Sequence, residues 1–171
     1  PYYERWLSMF PNIQSVADAN FDLILKCWEG LGYYARARNF FKACKILSEN
    51  HSGKVPKSPE LFLSLPGVGH YTSGAVMSIS YNYSVPAVDC NTARVITRFN
   101  CINKIFPKSL NNITMIVSDI MCKNRPGDFN QALMNLGREI CIPKKPKCNI
   151  CPIKYYCKAL VNNTVNKYPM V

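Results

Sequence analysis

Four cysteines near the C-terminal end of the sequence have a spacing typical of a metal centre. The pattern C-x6-C-x2-C-x5-C is formed by Cys141, Cys148, Cys151 and Cys157. Thiolates in one compact loop can bind zinc or an iron–sulfur cluster. The usual zinc signature has two short pairs far apart, and the common ferredoxin spacing also differs from this one. The spacing therefore predicts a metal centre and leaves zinc and iron–sulfur open.

A second stretch, from Leu65 to Asn91, combines a glycine turn with a single acid. Gly67 and Gly69 bracket a tight turn before a helix, where free backbone N–H groups can hold a phosphate. A short extended segment then delivers Asp89 directly before another helix. The turn is also compatible with an ordinary helix–helix connection, and Asp89 with an N-cap. The stretch thus offers a backbone phosphate grip and, shortly after it, a lone carboxylate.

Helical periodicity in the rest of the sequence predicts the elements that must position these residues. We expect an all-α fold with one extended piece at 84–88, no sheet, and a change of lobe near residue 84. The predicted lobes are 1–84 and 85–171. The predicted helices cover residues 1–10, 12–19, 21–28, 59–64, 71–81, 91–103, 109–122 and 128–140, and a basic helix that follows the two-glycine turn of EGLGYYARARN and ends at Glu49.

Composition narrows the class of protein. The 171 residues are 48% hydrophobic, which is ordinary for a globular chain, and contain no secretory signal or membrane-length apolar run. A net charge of +11 suggests a polyanionic partner, although a merely soluble basic protein would also carry it. Nine cysteines, five of them scattered, do not form the framework of a secreted disulfide domain. We therefore expect a reducing compartment.

Together these motifs resemble one family, the helix-hairpin-helix base-excision glycosylases that carry a [4Fe–4S] cluster. Within it the chain is most similar to the MutY-type adenine glycosylases, which remove adenine mispaired with 8-oxoguanine or guanine in double-stranded DNA. The resemblance extends from residue 1 to Cys157. It rests on the cysteine loop and on WEGLGYYARARN (28–39), LPGVGHYTSGAV (65–76), PAVDCNTARVITR (86–98) and RPGDFNQALMNLG (125–137).

The resemblance implies an iron–sulfur centre and a set of DNA contacts. The four loop cysteines match the ligands of the [4Fe–4S] cluster, which favours iron–sulfur over zinc. Tyr33 matches a tyrosine that wedges into the duplex. The other residues expected at DNA are those of the hairpin, the start of the next helix and the cluster loop: Gly67, Val68, Gly69, His70, Thr72, Lys144 and Lys145.

The resemblance also implies catalytic roles. Asp89 matches the family's essential aspartate, which stabilises the sugar cation or captures it, and Asn91 matches an asparagine that supports it. Tyr71 stands where the endonuclease III branch has a Schiff-base lysine, so we expect a monofunctional N-glycosylase without strand cleavage. Because tyrosine also occurs there in thymine-mismatch glycosylases of the same fold, that activity is the alternative.

Two departures from the family pattern bear on activity. Cys90 replaces the usual glycine between the aspartate and the asparagine, so its side chain must fit beside the sugar pocket or point away. The family's general-acid glutamate lies upstream of the segment matched here, and Glu4 and Glu29 do not sit in its motif. The family's C-terminal 8-oxoguanine-reading domain would follow this segment. We expect a catalytic-core fragment that binds DNA as a monomer and scarcely excises alone.

Other functions remain open at the level of sequence. A non-excising iron–sulfur module that binds DNA would share the fold and the cluster. A zinc-stabilised helical adaptor would explain the cysteines but would leave the glycine turn, the positive charge and Asp89 unconnected. The enzyme hypothesis places the protein in the nucleus or the mitochondria of a eukaryote, or in the cytoplasm of a bacterium.

Overall fold

A computed structural model describes residues 1–103 and 107–169, and these residues form helices and connecting segments without a β-strand. The all-α prediction is therefore confirmed. Residues 104–106 and 170–171 of the predicted second lobe lie outside the described residues. The helices of these ranges are α1 (Tyr2–Met9), α2 (Ile13–Ala17), α3 (Phe21–Trp28), α4 (Tyr34–His51), α5 (Pro59–Leu63), α6 (His70–Tyr81), α7 (Cys90–Asn100), α8 (Leu110–Ile120), α9 (Pro126–Glu139) and α10 (Lys158–Val161). Short 3-10 helices occur at Cys148–Ile150, Lys154–Tyr156 and Val165–Lys167.

The chain divides into two compact units, Pro1–Gly69 and His70 onward. The second unit begins with α6 because that helix packs on α9. The lobes 1–84 and 85–171 stay a prediction about the organisation of the family fold. None of the described helices is both long and apolar enough to cross a membrane.

Helix ends follow local signals, and most of the predicted ends were wrong by one to three residues. α9 begins at Pro126 rather than at residue 128, because the fixed φ of proline suits the first turn of a helix. α7 ends at Asn100 rather than at residue 103, because Cys101 takes a left-handed conformation with φ 56° that stops the helix. At α5 the start of the helix follows a favoured sequence signal, because the Ser58 side chain accepts a hydrogen bond from the backbone N–H of Leu61.

In the first unit, α4 packs on α2 and α3. Their apolar faces enclose a core that is extended by partly buried aromatic side chains such as Trp6. The fully buried members of this core are Phe10, Val16, Ile24, Cys27 and Cys44. Since α4 starts directly after Tyr33, this packing fixes the base from which that residue projects.

In the second unit, α7 is the central element, with α8, α9 and α10 packed around it. Seven consecutive residues, from Thr92 to Arg98, are buried. On one side α7 contributes to an apolar core whose buried members are Ala93, Ile96, Ile102, Ile113, Val117 and Met121. Two of the buried residues of α7, Arg94 and Arg98, are cationic, so both guanidinium groups need hydrogen-bond partners from the segments packed on this helix.

One buried amide holds the extended segment at 84–88. Asn130 of α9 is 1% exposed. Its Nδ2 donates to the Val85 carbonyl and to Ser78 Oγ, both at 2.9 Å, and its Oδ1 accepts from the Ala87 N–H at 3.1 Å. The amide therefore joins α6, α9 and the segment that ends on Asp89.

Replacing this amide should destabilise the protein without touching the acid itself. We expect Asn130→Ala to lower the free energy of unfolding by about 2–4 kcal/mol, because it leaves the Val85 carbonyl and the Ala87 N–H buried without their partner. Urea unfolding followed by circular dichroism measures this change. The control is Asn135→Ala on the same helix, where the exposed side chain should cost less than about 0.5 kcal/mol. Equal losses for the two variants would contradict the role of Asn130.

Candidate functional site

The glycine turn of the first unit has the geometry expected of a backbone grip. Gly67 has φ +78°, a conformation that side chains rarely adopt, and a Cβ there would meet Asn39. The Val68 N–H donates to the Leu65 carbonyl at 3.1 Å. Among the described residues, no acceptor pairs with the N–H groups of Gly67 and Gly69. Two backbone donors are thus left free for a ligand.

The other predicted DNA contacts lie in both units. Tyr33, in the first unit, is the exposed residue immediately before α4. His70 and Thr72, in the second unit, belong to the first turn of α6, where His70 is exposed and Thr72 half-buried. Lys144 and Lys145 are exposed in the cysteine loop. A second histidine, His51, ends α4.

The Asp89 carboxylate is held by two donors at the start of α7. Oδ1 accepts from the Thr92 N–H at 2.7 Å, so the N-cap interpretation is correct. Oδ2 accepts from Asn91 Nδ2 at 2.8 Å. Since two carboxylate oxygens offer about four acceptor positions, this arrangement fixes the orientation of the carboxylate and leaves acceptor capacity for chemistry. The predicted support of Asp89 by Asn91 has a direct geometric basis in this contact.

A buried arginine orients Asn91 in turn. Arg94 Nη2 donates to Asn91 Oδ1 at 2.9 Å and to the Gly137 carbonyl at 2.7 Å, while its Nε donates to the Cys141 carbonyl at 2.8 Å. With Oδ1 facing Arg94, the amide must turn Nδ2 towards Asp89. Gly137 permits this approach of α9 to α7, because a Cβ there would lie 2.8 Å from the Asn91 Cβ and carbonyl oxygen. A continuous set of hydrogen bonds therefore runs from the acid to the backbone of the cysteine loop.

Tyr71, Asp89 and Asn91 line one open pocket. The Tyr71 hydroxyl donates to Met134 Sδ at 3.7 Å. Burial, together with the nearby Asp89 carboxylate and Cys90 thiol, raises the pKa of Tyr71 above its usual value. The phenol therefore stays protonated and neutral at physiological pH.

One wall of this pocket was missed from the sequence. Ile79 of α6 contributes to this wall, but most of it comes from residues of α9 that recur at helical spacing on one face. These residues of α9 are Gln131, Met134, Asn135 and Arg138. The period of three to four residues in NQALMNLGR could have indicated this face. The wall places two amides (Gln131 and Asn135), one thioether (Met134) and one guanidinium (Arg138) beside Asp89. Such groups suit a polar ligand that is attached to a negatively charged group.

Cys90 points away from this pocket. Among the described residues it lines a neighbouring cavity, together with Lys144, Lys145 and Tyr168. A side chain at this position was expected either to fit beside the pocket or to point away from it, and the Cys90 side chain points away. The lysines predicted at DNA thus lie on the other side of the start of α7 from the Asp89 pocket.

The four loop cysteines line a single pocket with apolar walls. The walls come from α7, α9, α10 and the loop itself: Val95, Phe99, Leu136, Ile140, Pro146, Ile153, Leu160 and Val165. Burial raises the pKa of the Cys148 and Cys151 thiols, and the nearby Cys141 and Cys157 thiols add to the rise. Within the described residues, no three His, Cys, Asp or Glu side chains are close enough together to hold a single metal ion, although all four thiols line one pocket. A four-iron cluster is wider than one ion, so the shared pocket is the relevant geometry.

Arg98 provides a test of what this pocket can hold. It is 3% exposed, and no carboxylate among the described residues pairs with it. Its guanidinium donates to the carbonyls of Ile142 and Pro143, both at 2.8 Å, and of Tyr168 at 2.9 Å, while Nη1 lies 3.4 Å from Cys141 Sγ. A buried cation needs a compensating negative charge. A thiolate-ligated cluster carries net negative charge, and so these residues fit an iron–sulfur centre.

Comparison with known proteins identifies the family. The family model described as "HhH-GPD superfamily base excision DNA repair protein" matches residues 1–116. The chain belongs to this superfamily. A second model, the iron–sulfur binding domain of endonuclease III, matches residues 141–157 of this HhH-GPD chain. It confirms the predicted [4Fe–4S] cofactor in place of zinc.

Three curated relatives of this HhH-GPD chain share the name "Adenine DNA glycosylase". An "Adenine DNA glycosylase" of Buchnera aphidicola subsp. Baizongia pistaciae is 41% identical over 170 residues, covering 95% of this chain and 46% of the relative. That of Buchnera aphidicola subsp. Acyrthosiphon pisum is 38% identical over 99% of this chain and 49% of the relative. The human protein of this name is 36% identical over 92% of this chain and 30% of the relative. The chain thus spans half or less of the length of these relatives.

Solved structures confirm the fold. A thermostable thymine-DNA glycosylase has a TM-score of 0.81 at 26% identity, covering 94% of this chain and 75% of that one. A trapped endonuclease III–DNA covalent intermediate has a TM-score of 0.82 at 23% identity, covering 95% and 76%. The predicted helix-hairpin-helix glycosylase fold is therefore correct for this HhH-GPD chain.

The contacts of Arg98 predict a loss of cluster without it. We expect Arg98→Leu to lower the iron bound per protein, in line with the roughly 10- to 100-fold loss of metal affinity typical when outer hydrogen bonds of a metal site are removed. Iron analysis and the visible absorption of the cluster measure this loss. The control is Arg125→Leu, which removes an exposed guanidinium paired with Asp128 and should keep full iron content. Full iron content in Arg98→Leu would contradict the assignment.

Proposed function

We propose that the protein containing this chain is an adenine DNA glycosylase of base-excision repair. It hydrolyses the N-glycosidic bond of adenine mispaired with 8-oxoguanine or guanine in double-stranded DNA, and acts as a monomer. The observation that carries the proposal is the Asp89 carboxylate, oriented by two donors at the wall of a pocket that also contains Tyr71. The name shared by the curated relatives supports the choice of base.

Asp89 is suited to the charge that develops when the bond to adenine breaks. The departing base leaves a sugar with oxocarbenium character, and a fixed carboxylate stabilises or captures that cation. Because Thr92 and Asn91 already orient the carboxylate, little reorganisation is needed as the charge appears. We assign Asp89 the catalytic role and Asn91 the supporting one.

Tyr71 makes the reaction a simple hydrolysis. A lysine in this place could attack the sugar and form a Schiff base, whereas a neutral phenol cannot. Its hydroxyl is held by Met134 and its pKa is raised by burial and by the neighbouring Asp89, so it has little tendency to ionise and attack. We propose a monofunctional enzyme in which Tyr71 shapes the pocket.

An adenine inside a duplex is out of reach, so the nucleotide must leave the helical stack at a cost of a few kcal/mol. An exposed aromatic ring such as that of Tyr33 can fill the resulting gap. The free N–H groups of Gly67 and Gly69 would bind a backbone phosphate. His70 and Thr72, in the second unit, are proposed as DNA contacts of their own. Lys144 and Lys145 would bind other phosphates from the cysteine loop.

The cluster ligands in this proposal are Cys141, Cys148, Cys151 and Cys157. When bound, the [4Fe–4S] cluster joins four points of the loop and supplies a negative charge beside Arg98. The residues of the chain then hold the loop in place, through the bonds of Arg94 and Arg98 to its carbonyls. In this way the loop can present its lysines to DNA in a fixed arrangement.

Thymine opposite guanine is the alternative substrate, because a thymine-DNA glycosylase shares the fold at 26% identity. Excision rates measured on duplexes with A opposite 8-oxoguanine, A opposite guanine and T opposite guanine distinguish the two activities. We expect the adenine duplexes to react and the thymine duplex to remain intact. Faster release of thymine would replace the proposed substrate.

The charge of Asp89 should be essential for excision. In the full-length protein, we expect Asp89→Asn to keep DNA binding and to lose adenine excision by about 10²–10³-fold or more, since the amide lacks the charge that faces the sugar cation. Single-turnover excision and gel-shift binding measure the two effects. Asp128→Asn, an exposed acid paired with Arg125, is the matched control and should excise normally. Undiminished excision by Asp89→Asn would contradict the catalytic role of Asp89.

Lys144 and Lys145 should account for part of the salt dependence of DNA binding. Changing Lys144 and Lys145 together to Ala should reduce the slope of log affinity against log salt by about one to two, if each lysine contacts a phosphate. Binding to a short duplex over a series of salt concentrations measures the slope. Alanine at two exposed lysines outside the loop, Lys26 and Lys123, controls for net charge. If both double variants give the same slope, the loop lysines do not contact DNA.

A further inference from the structure

Tyr33 combines two features that are unfavourable for a residue with no ligand. Its backbone is left-handed, with φ 49° and ψ 52°, which is rare for an aromatic residue. Its side chain is 82% exposed, so burial of the ring does not compensate for the strain. Strained conformations of this kind persist only where the surroundings hold them. The surroundings of Tyr33 therefore carry information about its use.

One guanidinium group contacts the exposed ring. Arg36 Cζ lies 5.5 Å from the centroid of the Tyr33 ring and 5.9 Å from that of Trp28. The backbone N–H of Arg36 also donates to the Tyr33 carbonyl at 2.8 Å. A planar guanidinium is attracted to the faces of aromatic rings, and here a single group engages two of them. The Tyr33 ring is therefore linked to Trp28 through Arg36.

Trp28 is itself fixed by the rest of the first unit. Its indole Nε1 donates to the Gly32 carbonyl at 3.1 Å, and its backbone carbonyl accepts from the Leu31 N–H at 3.1 Å. Its ring meets the Trp6 ring edge-on, with centroids 5.7 Å apart. The residue that supports Arg36 thus also determines the path of the loop that leads to Tyr33.

We infer that Arg36 is a positioning residue for Tyr33, holding its ring between the Trp28 anchor and the DNA so that it stacks on an unpaired base. The inference rests on the proposed function, which uses Tyr33 as the wedge. A ring held in its bound orientation before binding loses less conformational freedom on binding. Arg36 thus acts through Tyr33 and has no contact with the reacting atoms.

The competing role for Arg36 is an ordinary phosphate contact, and the two roles differ in measurable ways. A phosphate contact depends on charge, so Arg36→Lys would be nearly silent and Arg36→Gln would lower the salt slope by about one. A positioning role depends on the planar group, because lysine at a stacked site is not equivalent to arginine. Arg36→Lys should then be impaired although it keeps the charge.

The experiment uses full-length protein with its cluster and a duplex that has A opposite 8-oxoguanine. A 2-aminopurine placed beside the mispair reports unstacking by its fluorescence, and titrations at several salt concentrations give the affinity and its slope. The variants are Tyr33→Ala, Arg36→Lys, Arg36→Gln and the double variant Tyr33→Ala with Arg36→Gln. The matched control is Arg38→Gln, an exposed arginine on the same helix that contacts neither ring. Circular dichroism and iron content verify that each variant is folded.

We expect Tyr33→Ala to abolish the fluorescence change and to weaken binding about 5- to 100-fold, the range given by one aromatic stacking contact. Both variants of Arg36 should reduce the fluorescence change and weaken binding about 3- to 10-fold. Their salt slope should change no more than that of Arg38→Gln. The double variant should bind no more weakly than Tyr33→Ala alone, because Arg36 acts only through the ring.

Three results would overturn the inference. The first is a normal fluorescence change in Arg36→Lys while Tyr33→Ala loses it. The second is an additive loss in the double variant, and the third is a normal fluorescence change in Tyr33→Ala, which would also remove the wedge from the proposed function. Release of no adenine by the wild-type protein would refute the proposed activity alone, because the fluorescence and binding measurements do not depend on excision.

Discussion

Each N–H of a buried guanidinium must find an acceptor, and this requirement organises the second unit. Arg94 and Arg98 lie one turn apart on α7 and are 8% and 3% exposed. Their acceptors are mostly carbonyl groups, at the end of α9, in the cysteine loop and at Tyr168. Carbonyl groups bring no opposite charge, so the thiolate-bound cluster is the natural counter-charge. The helix capped by Asp89 therefore depends on the loop that binds iron, although different parts of the sequence encode them.

α9 is the second element on which the site depends. Near its start, Asn130 holds the extended segment that leads to Asp89. One turn later Met134 accepts the hydrogen bond of Tyr71, and near its end Gly137 lets Asn91 and Arg94 come close. A single helix thus sets the approach to the acid, the wall beside it and the support behind it. These contacts hold the pocket residues at several points of one helix, and the proposed electrostatic stabilisation of a transition state needs such preorganised groups.

Sequence periodicity was sufficient for the fold class and for nearly all helices, because apolar spacing directly encodes a buried face. The cysteine spacing, Asp89 and the glycine turn were visible because each is a local pattern. Asn130, Arg94 and Arg98 were not visible, since a polar residue within a helical pattern normally indicates an exposed position. Their burial depends on acceptors more than forty residues away. The left-handed Cys101 likewise ended α7 without a glycine or proline signal.

The bond between Arg98 and the Tyr168 carbonyl joins residues 70 positions apart, and the bond between Arg94 and the Cys141 carbonyl joins residues 47 positions apart. During synthesis, α7 is complete long before these acceptors exist. Until then Arg98 has none of its hydrogen-bond partners and Arg94 lacks the Cys141 carbonyl, so burial of this part of α7 is costly. Closing such long loops is also slow compared with helix formation. A ribosome-bound chain that stops before residue 141 would therefore carry Asp89 and the donors that orient it, while Arg98 still lacked the carbonyl groups of the cysteine loop and of Tyr168.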